Sequence, residues 1–215
     1  MFDIYIKNKF LKTPEGNPFE VPTLALARAI EEEWEKDPSP HYGQKPLTSL
    51  AATTLDRIAE ARESYISYIV QSVPRDVILF WSPEPVALMK LQEKEWQPLI
   101  YKINQALGLH LVSTPLLSLP ALNPLEEEKV RTFLYHLTTF QLSGFVHLLT
   151  LTSSFAISYL LFKDELKSDA AWDLAHLHEH EQQRVWGKDA EAVTHEKAAK
   201  EEFLETLRYL ALVRE

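Results

Sequence analysis

The chain has 215 residues, 46% apolar and 25% charged, and a chain of this size typically buries roughly 70% of its unfolded surface, which argues against disorder over most of the length. Twenty-two basic against 31 acidic side chains give a net charge of −9, which disfavours nonspecific nucleic-acid or anionic-membrane binding, since both rest on a basic surface. With no cysteine, a disulfide scaffold, a thiolate nucleophile and Cys-based zinc or iron–sulfur sites are excluded, and a reducing compartment fits.

Met1-Phe2-Asp3-Ile4-Tyr5 lacks the basic and apolar regions of a signal peptide, so a cytoplasmic location without membrane insertion is expected. Residues 2–22 read as short strands: Phe2–Ile6 alternates, Lys7-Asn8-Lys9 can turn, Phe10–Thr13 precedes the turn cluster Pro14–Asn17, and Phe19-Glu20-Val21 is a third strand. Thr23 stands where an N-cap belongs, before a helix whose Ala27, Ile30 and Trp34 share one face. That helix stops before Asp37-Pro38-Ser39-Pro40.

Helical spacing resumes from Leu47 to about Val73, with a break near Asp56 or Glu63. Val77–Trp81, an apolar run bounded by Pro74 and Pro83, reads as a buried strand. Helices follow over roughly 84–96 and 97–107, closing at Gly108, and His110–Thr114 reads as a strand. Asn123-Pro124 is an N-cap followed by proline at the first helical position, with Glu126, Glu127 and Glu128 near the positive end of the dipole. Beyond it only helices are predicted, with breaks near Phe140–Gly144, Lys163–Ser168 and Gly187-Lys188, Trp186-Gly187 having the form of a helix end with Gly187 in the left-handed cap position.

The 13 prolines all fall at or before Pro124. The expected fold is therefore α+β: a small N-terminal β-rich domain with its first helix over residues 1–45, then a mostly helical domain over 46–215 that becomes a proline-free bundle from about residue 124.

Several features invite function. Thr132 to Phe162 holds no Asp, Glu, Lys or Arg, but His136, Gln141, His147 and many hydroxyls within it favour a central buried helix over a membrane span or an exposed partner-binding helix. His176 and His180 lie one helical turn apart with Asp173 three residues before, a weak zinc signal without a third ligand; a polar helix surface is the stronger reading, so no metal and no cofactor are expected. No GxSxG, GxxxxGK[ST] or GxGxxG occurs, and five glycines leave little for a phosphate-cradling loop. Tryptophans 34, 96, 172 and 186 fall on or beside predicted helices; each can be an interface anchor, and each alone is more simply packing.

The order of segments is more specific. Lys12-Thr13-Pro14, Asn17–Thr23, Leu26–Ile30 and Glu33-Trp34 closely resemble the opening of the assembly chaperones that bind the alpha subunit of the ATP synthase catalytic head, found in mitochondria and alpha-proteobacteria. Pro46–Ala51 with Thr53 and Leu55-Asp56, then Leu91-Gln92 with Glu95–Leu99, resemble its next two blocks. Leu177-His178-Glu179 with Gln182 and Trp186–Ala192 resemble its C-terminal signature. Asp76–Trp81 departs from the family's Cys-Tyr-Arg strand, as befits a divergent bacterial member.

The resemblance implies a non-enzymatic role: holding the unassembled alpha subunit until the beta subunit replaces the chaperone, with the chaperone monomeric and cytoplasmic and its mitochondrial relatives in the matrix. It assigns partner binding to Glu179, Gln182, Trp186, Asp189 and Trp34. Within that set Glu179 receives a basic or hydrogen-bond-donating group, while Trp34 packs to hold the first helix. The alternative is a small metal-dependent hydrolase using the His176/His180 region. Thirteen acidic and eight basic residues from Lys163 to Glu215 leave that segment at −5, which points to the acidic C-terminal helices around Glu179 as the docking face.

Overall fold

The structure, a computed structural model, describes residues 1–115, 121–187 and 189–214. It forms two compact units, one of Met1–Tyr65, Leu137–Leu148 and Glu201–Glu215, the other of Ile66–His136 and Leu149–Lys200. The class is α+β, with the strands near the N-terminus and helices thereafter.

In the first unit β1 (Phe2–Asp3) pairs antiparallel with β4 (Glu20–Val21), and β2 (Tyr5–Ile6) with β3 (Lys9–Phe10). Lys7 and Asn8 both take positive φ, 50° and 63°, the two-residue hairpin geometry whose twist matches the strands. Tyr5 and Phe10 face each other edge to face at 5.6 Å. The 13–17 loop is fastened by Asp56, whose carboxylate accepts from Thr13 Oγ1 (2.5 Å) and Asn17 Nδ2 (2.8 Å).

Helix α1 (Leu24–Lys36) is capped by Thr23, whose hydroxyl accepts from Leu26 N and donates to the Leu212 carbonyl. It buries Leu26, Ile30 and Trp34, and its Glu33 carboxylate accepts from the amides of Leu47 and Thr48 at the start of α2 (Pro46–Thr53). Those amides lack helical acceptors, so the glutamate supplies them. A π-helical turn over Thr54–Ile58 follows, and Thr54 Oγ1 lies 2.9 Å from Tyr209 Oη.

In the second unit, which takes up most of α3 (Arg62–Ser72), α4 (Val86–Leu107) ends on Gly108 in the left-handed conformation (φ 61°, ψ 40°). Its Trp96 is fully buried and donates from Nε1 to the Leu174 carbonyl (2.9 Å). Helix α5 (Pro124–Tyr135) opens with a full capping box between Asn123 and Glu126. Helix α6 (Thr139–Thr152) is followed by a break at Ser153 and Ser154; then α7 (Phe155–Phe162), α8 (Ser168–Ala175), α9 (Leu177–Trp186) and α10 (Ala190–Leu212) complete the chain.

Some expectations are corrected. Val77–Leu79 is a 3-10 turn, because Asp76 accepts from Ile78 N and bends the chain; only Phe80 bridges a neighbour, Thr114. Among the described residues the His110–Thr114 stretch contributes that bridge to strand pairing. Helix α4 runs unbroken through Pro98, burying Trp96, Leu99, Ile100 and Ile103 around it. The break expected at Phe140–Gly144 falls instead at His136–Thr138 and Ser153–Ser154. Gly187 has positive φ but extended ψ (90°, 166°), so it ends α9 outside the left-handed region, and Lys188 lies outside the described residues. Thr132–Phe162 is thus split among three helices, and no helix among the described residues is long and apolar enough to cross a membrane.

Candidate functional site

Helix α9 has two distinct faces. Leu177 is buried, and three and six residues on His180 Nε2 and Gln183 Nε2 reach the Glu196 carboxylate of α10 at 3.0 and 3.2 Å. Spacings of three and four residues place Glu179, Gln182 and Trp186 together on the opposite, exposed face. Trp186 is 85% exposed, with Val185 beside it at 54%. Among the described residues, the side chains of Glu179, Gln182 and Trp186 have no hydrogen-bond or ion-pair partner.

Glu179 also lies in the first turn of α9, where the helix dipole favours its negative charge. The face therefore offers a carboxylate, an amide and an indole to water, with none of their interactions already taken up internally. Asp189 lies past Gly187 and is engaged locally, since its carboxylate accepts from Glu191 N (3.2 Å) and its carbonyl from Val193 N (3.0 Å), so it caps α10. It is exposed.

Trp34 belongs to the first unit, whereas the other four residues belong to the second. It is buried on α1, edge to face with Tyr42 at 5.6 Å.

The histidines that suggested metal are otherwise engaged. The His176 ring stacks on Trp172 at 3.9 Å with its Nδ1 on the Trp172 carbonyl, and His180 holds Glu196. Among the described residues no group of three or more His, Cys, Asp or Glu is placed to hold a metal ion.

A concave feature that sequence reading missed lies in the first unit: a groove of about 830 Å³ built from residues between 43 and 65, 143 and 147, and 201 and 205. No local motif announces it, because its walls come from three distant stretches.

A family model described as ATP12 chaperone protein matches residues 1–104. The mitochondrial protein atp12 of Schizosaccharomyces pombe is 29% identical over 208 residues, 90% of this chain and 72% of that protein. The crystal structure of Atp12 from Paracoccus denitrificans superposes with a TM-score of 0.89 at 25% identity, over 98% of this chain and 91% of that one. The chain is similar to the ATP12 chaperone family. These are the assembly chaperones its motifs resemble, and a point mutant of the Paracoccus protein shares the fold equally well, with a TM-score of 0.90 at 24% identity over 98% of this chain and 91% of that one. The family model contains the Trp34 segment, while α9 lies beyond it, in the region where the likeness rests on the wider matches.

Proposed function

We propose that this chain binds the unassembled alpha subunit of the ATP synthase catalytic head, shields its apolar interface from aggregation and releases it when the beta subunit takes its place. The observation that carries the reading is the exposed face of α9, where Glu179, Gln182 and Trp186 stand together with Trp186 85% exposed. An indole in water is an unfavourable arrangement that docking relieves, and tryptophan is enriched among interface anchors. Glu179 receives a basic or donor group of the client, Gln182 extends the polar contact, and Asp189 orders the start of α10 at its edge. Trp34 contributes by holding α1.

Such a chaperone must bind strongly enough to compete with aggregation of exposed apolar surface, yet more weakly than the final interface with the beta subunit. A single monomeric chaperone in the bacterial cytoplasm, shielding one client, satisfies this without cofactor or catalysis. The test is Glu179→Lys: alpha-subunit solubility and co-purification should both fall sharply, and unchanged capture removes Glu179 from the site. Elemental analysis of the purified chain separates this reading from a metal-dependent hydrolase, for which stoichiometric zinc is required.

A further inference from the structure

The groove of the first unit combines two chemistries. Its floor is apolar, with Leu50, Ile58, Val146 and Leu204 among its lining residues, and Leu204 is 44% exposed on a helix whose other face buries Phe203, Tyr209 and Leu210. Its lip is acidic. Glu201, Glu202 and Glu205 line it from consecutive turns of α10, and the described lining residues include no lysine or arginine.

The lip carboxylates meet groups at the protein surface: Glu202 lies 2.8 Å from His147 Nε2 and Glu205 lies 3.2 Å from Arg208. Both pairs are partly exposed, with Glu202 at 53% and Arg208 at 44%, so they are readily exchanged for a stronger cation. The volume is within the range of recognition pockets, which are mostly apolar with a few placed polar groups. An apolar floor beneath a carboxylate lip is complementary to an apolar side chain followed by a cation.

We propose that this groove takes a basic–apolar segment of a client polypeptide, seating a leucine-sized side chain on the Leu50–Leu204 floor and a lysine or arginine against Glu201 and Glu202. The proposal rests on the client-holding function above and gives it a second contact, carried by different residues from those of α9. Electrostatic steering by the lip speeds encounter, and the floor sets residence time.

The test uses the full chain and two short fluorescein-labelled peptides, one of leucine, alanine and arginine, the other with every arginine replaced by glutamate. Fluorescence polarisation should show the arginine peptide binding, with affinity falling as salt rises. The double variant Glu201→Lys/Glu202→Lys should weaken it about tenfold or more, as should the surface variant Leu204→Asp. Circular dichroism and melting temperature confirm that both variants remain folded.

Equal binding of the glutamate peptide, or unchanged affinity in both variants, overturns the proposal. A concentration-dependent dimer abolished by Leu204→Asp would assign the groove to a second copy of the chain and overturn it too. No alpha subunit enters this assay. Failure of the client identity would appear separately, as a wild-type chain that binds the arginine peptide but does not capture the alpha subunit, a result that supports the groove.

Discussion

Lys45 Nζ lies 4.6 Å from the centroid of the Trp34 ring, and the lysine side chain is only 1% exposed. The ammonium is fully provided for: it donates to the carbonyls of Ser39 (2.8 Å) and His41 (3.2 Å) and to Asp37 Oδ2 (3.1 Å). Hydrogen bonds from Ser39, then from Lys45, hold the Asp37 carboxyl down at about 2. The loop after α1 is thereby folded around a buried cation, and it leads directly into Gly43, Gln44 and Pro46, one wall of the groove.

Trp34→Ala should therefore cost about 3–5 kcal/mol, the range for removing a buried aromatic, and loosen that wall. Trp34→Phe should cost only about 1–2 kcal/mol, because the indole Nε1 has no hydrogen-bond partner among the described residues and a phenyl ring keeps the face beneath Lys45. Urea unfolding measures both. Alpha-subunit capture by Trp34→Phe, assayed well below its melting temperature, should match wild type; a loss of capture with stability retained would make Trp34 a contact residue.

What the sequence made legible was local. Asn123-Pro124 and Gly108 announce helix ends because capping is decided within a few residues, and both stand where expected. The residues of the α9 face were named by the resemblance alone, and the helix then sets Glu179, Gln182 and Trp186 on one exposed side. Val77–Trp81 was not legible, because apolarity reports burial rather than conformation: Ile78 and Leu79 are buried, yet Asp76 turns the backbone. Gly144 misled for a related reason. It suggested a helix break, whereas it marks a close packing contact that only the fold reveals.

Asp76 makes a pH dependence. Its fully buried carboxylate accepts from Ala156 N (2.8 Å) at the start of α7 and from Ile78 N (3.2 Å), with further bonds from Ser154 and Phe155. Burial nevertheless outweighs these donors and pushes it up from 3.8 to about 6. The folded state therefore holds this proton more tightly than the unfolded chain. The resulting stabilisation is complete below pH 3.8 and is lost as pH rises through about 6. About two units correspond to about 3 kcal/mol. In urea titrations across this window, wild type should lose about that much stability relative to Asp76→Asn as pH rises; a constant difference would show that Asp76 does not titrate there.

Gly144 allows α6 to approach α10. A Cβ there would lie 2.5 Å from Leu210 Cδ2 and 2.7 Å from its Cγ, with Tyr209 Cδ1 at 3.3 Å. Alanine normally stabilises a helix interior by about 1 kcal/mol over glycine, but Leu210 and Tyr209 are buried, and overpacking costs about 1–3 kcal/mol. Gly144→Ala should thus be destabilising on balance by about 1 kcal/mol, and Gly144→Val by more. Thermal unfolding decides it, and a rise in melting temperature with alanine would show that Leu210 can move aside.

Trp186 separates binding from folding most cleanly. At 85% exposure, with no internal partner among the described residues, its replacement by serine should change stability by no more than about 0.5 kcal/mol, as for surface substitutions generally. If the α9 face docks the client, the same replacement removes an aromatic anchor, and such anchors are worth about 2 kcal/mol or more, roughly a thirtyfold loss of affinity. Glu179→Lys adds like-charge repulsion toward a basic client group, so its loss should deepen at low salt and ease at high salt, whereas the Trp186→Ser loss should be nearly independent of salt. Titrating the alpha subunit against both variants over a salt series reads out the two contributions. A Trp186→Ser chain with wild-type melting temperature and wild-type affinity would move the docking face off α9.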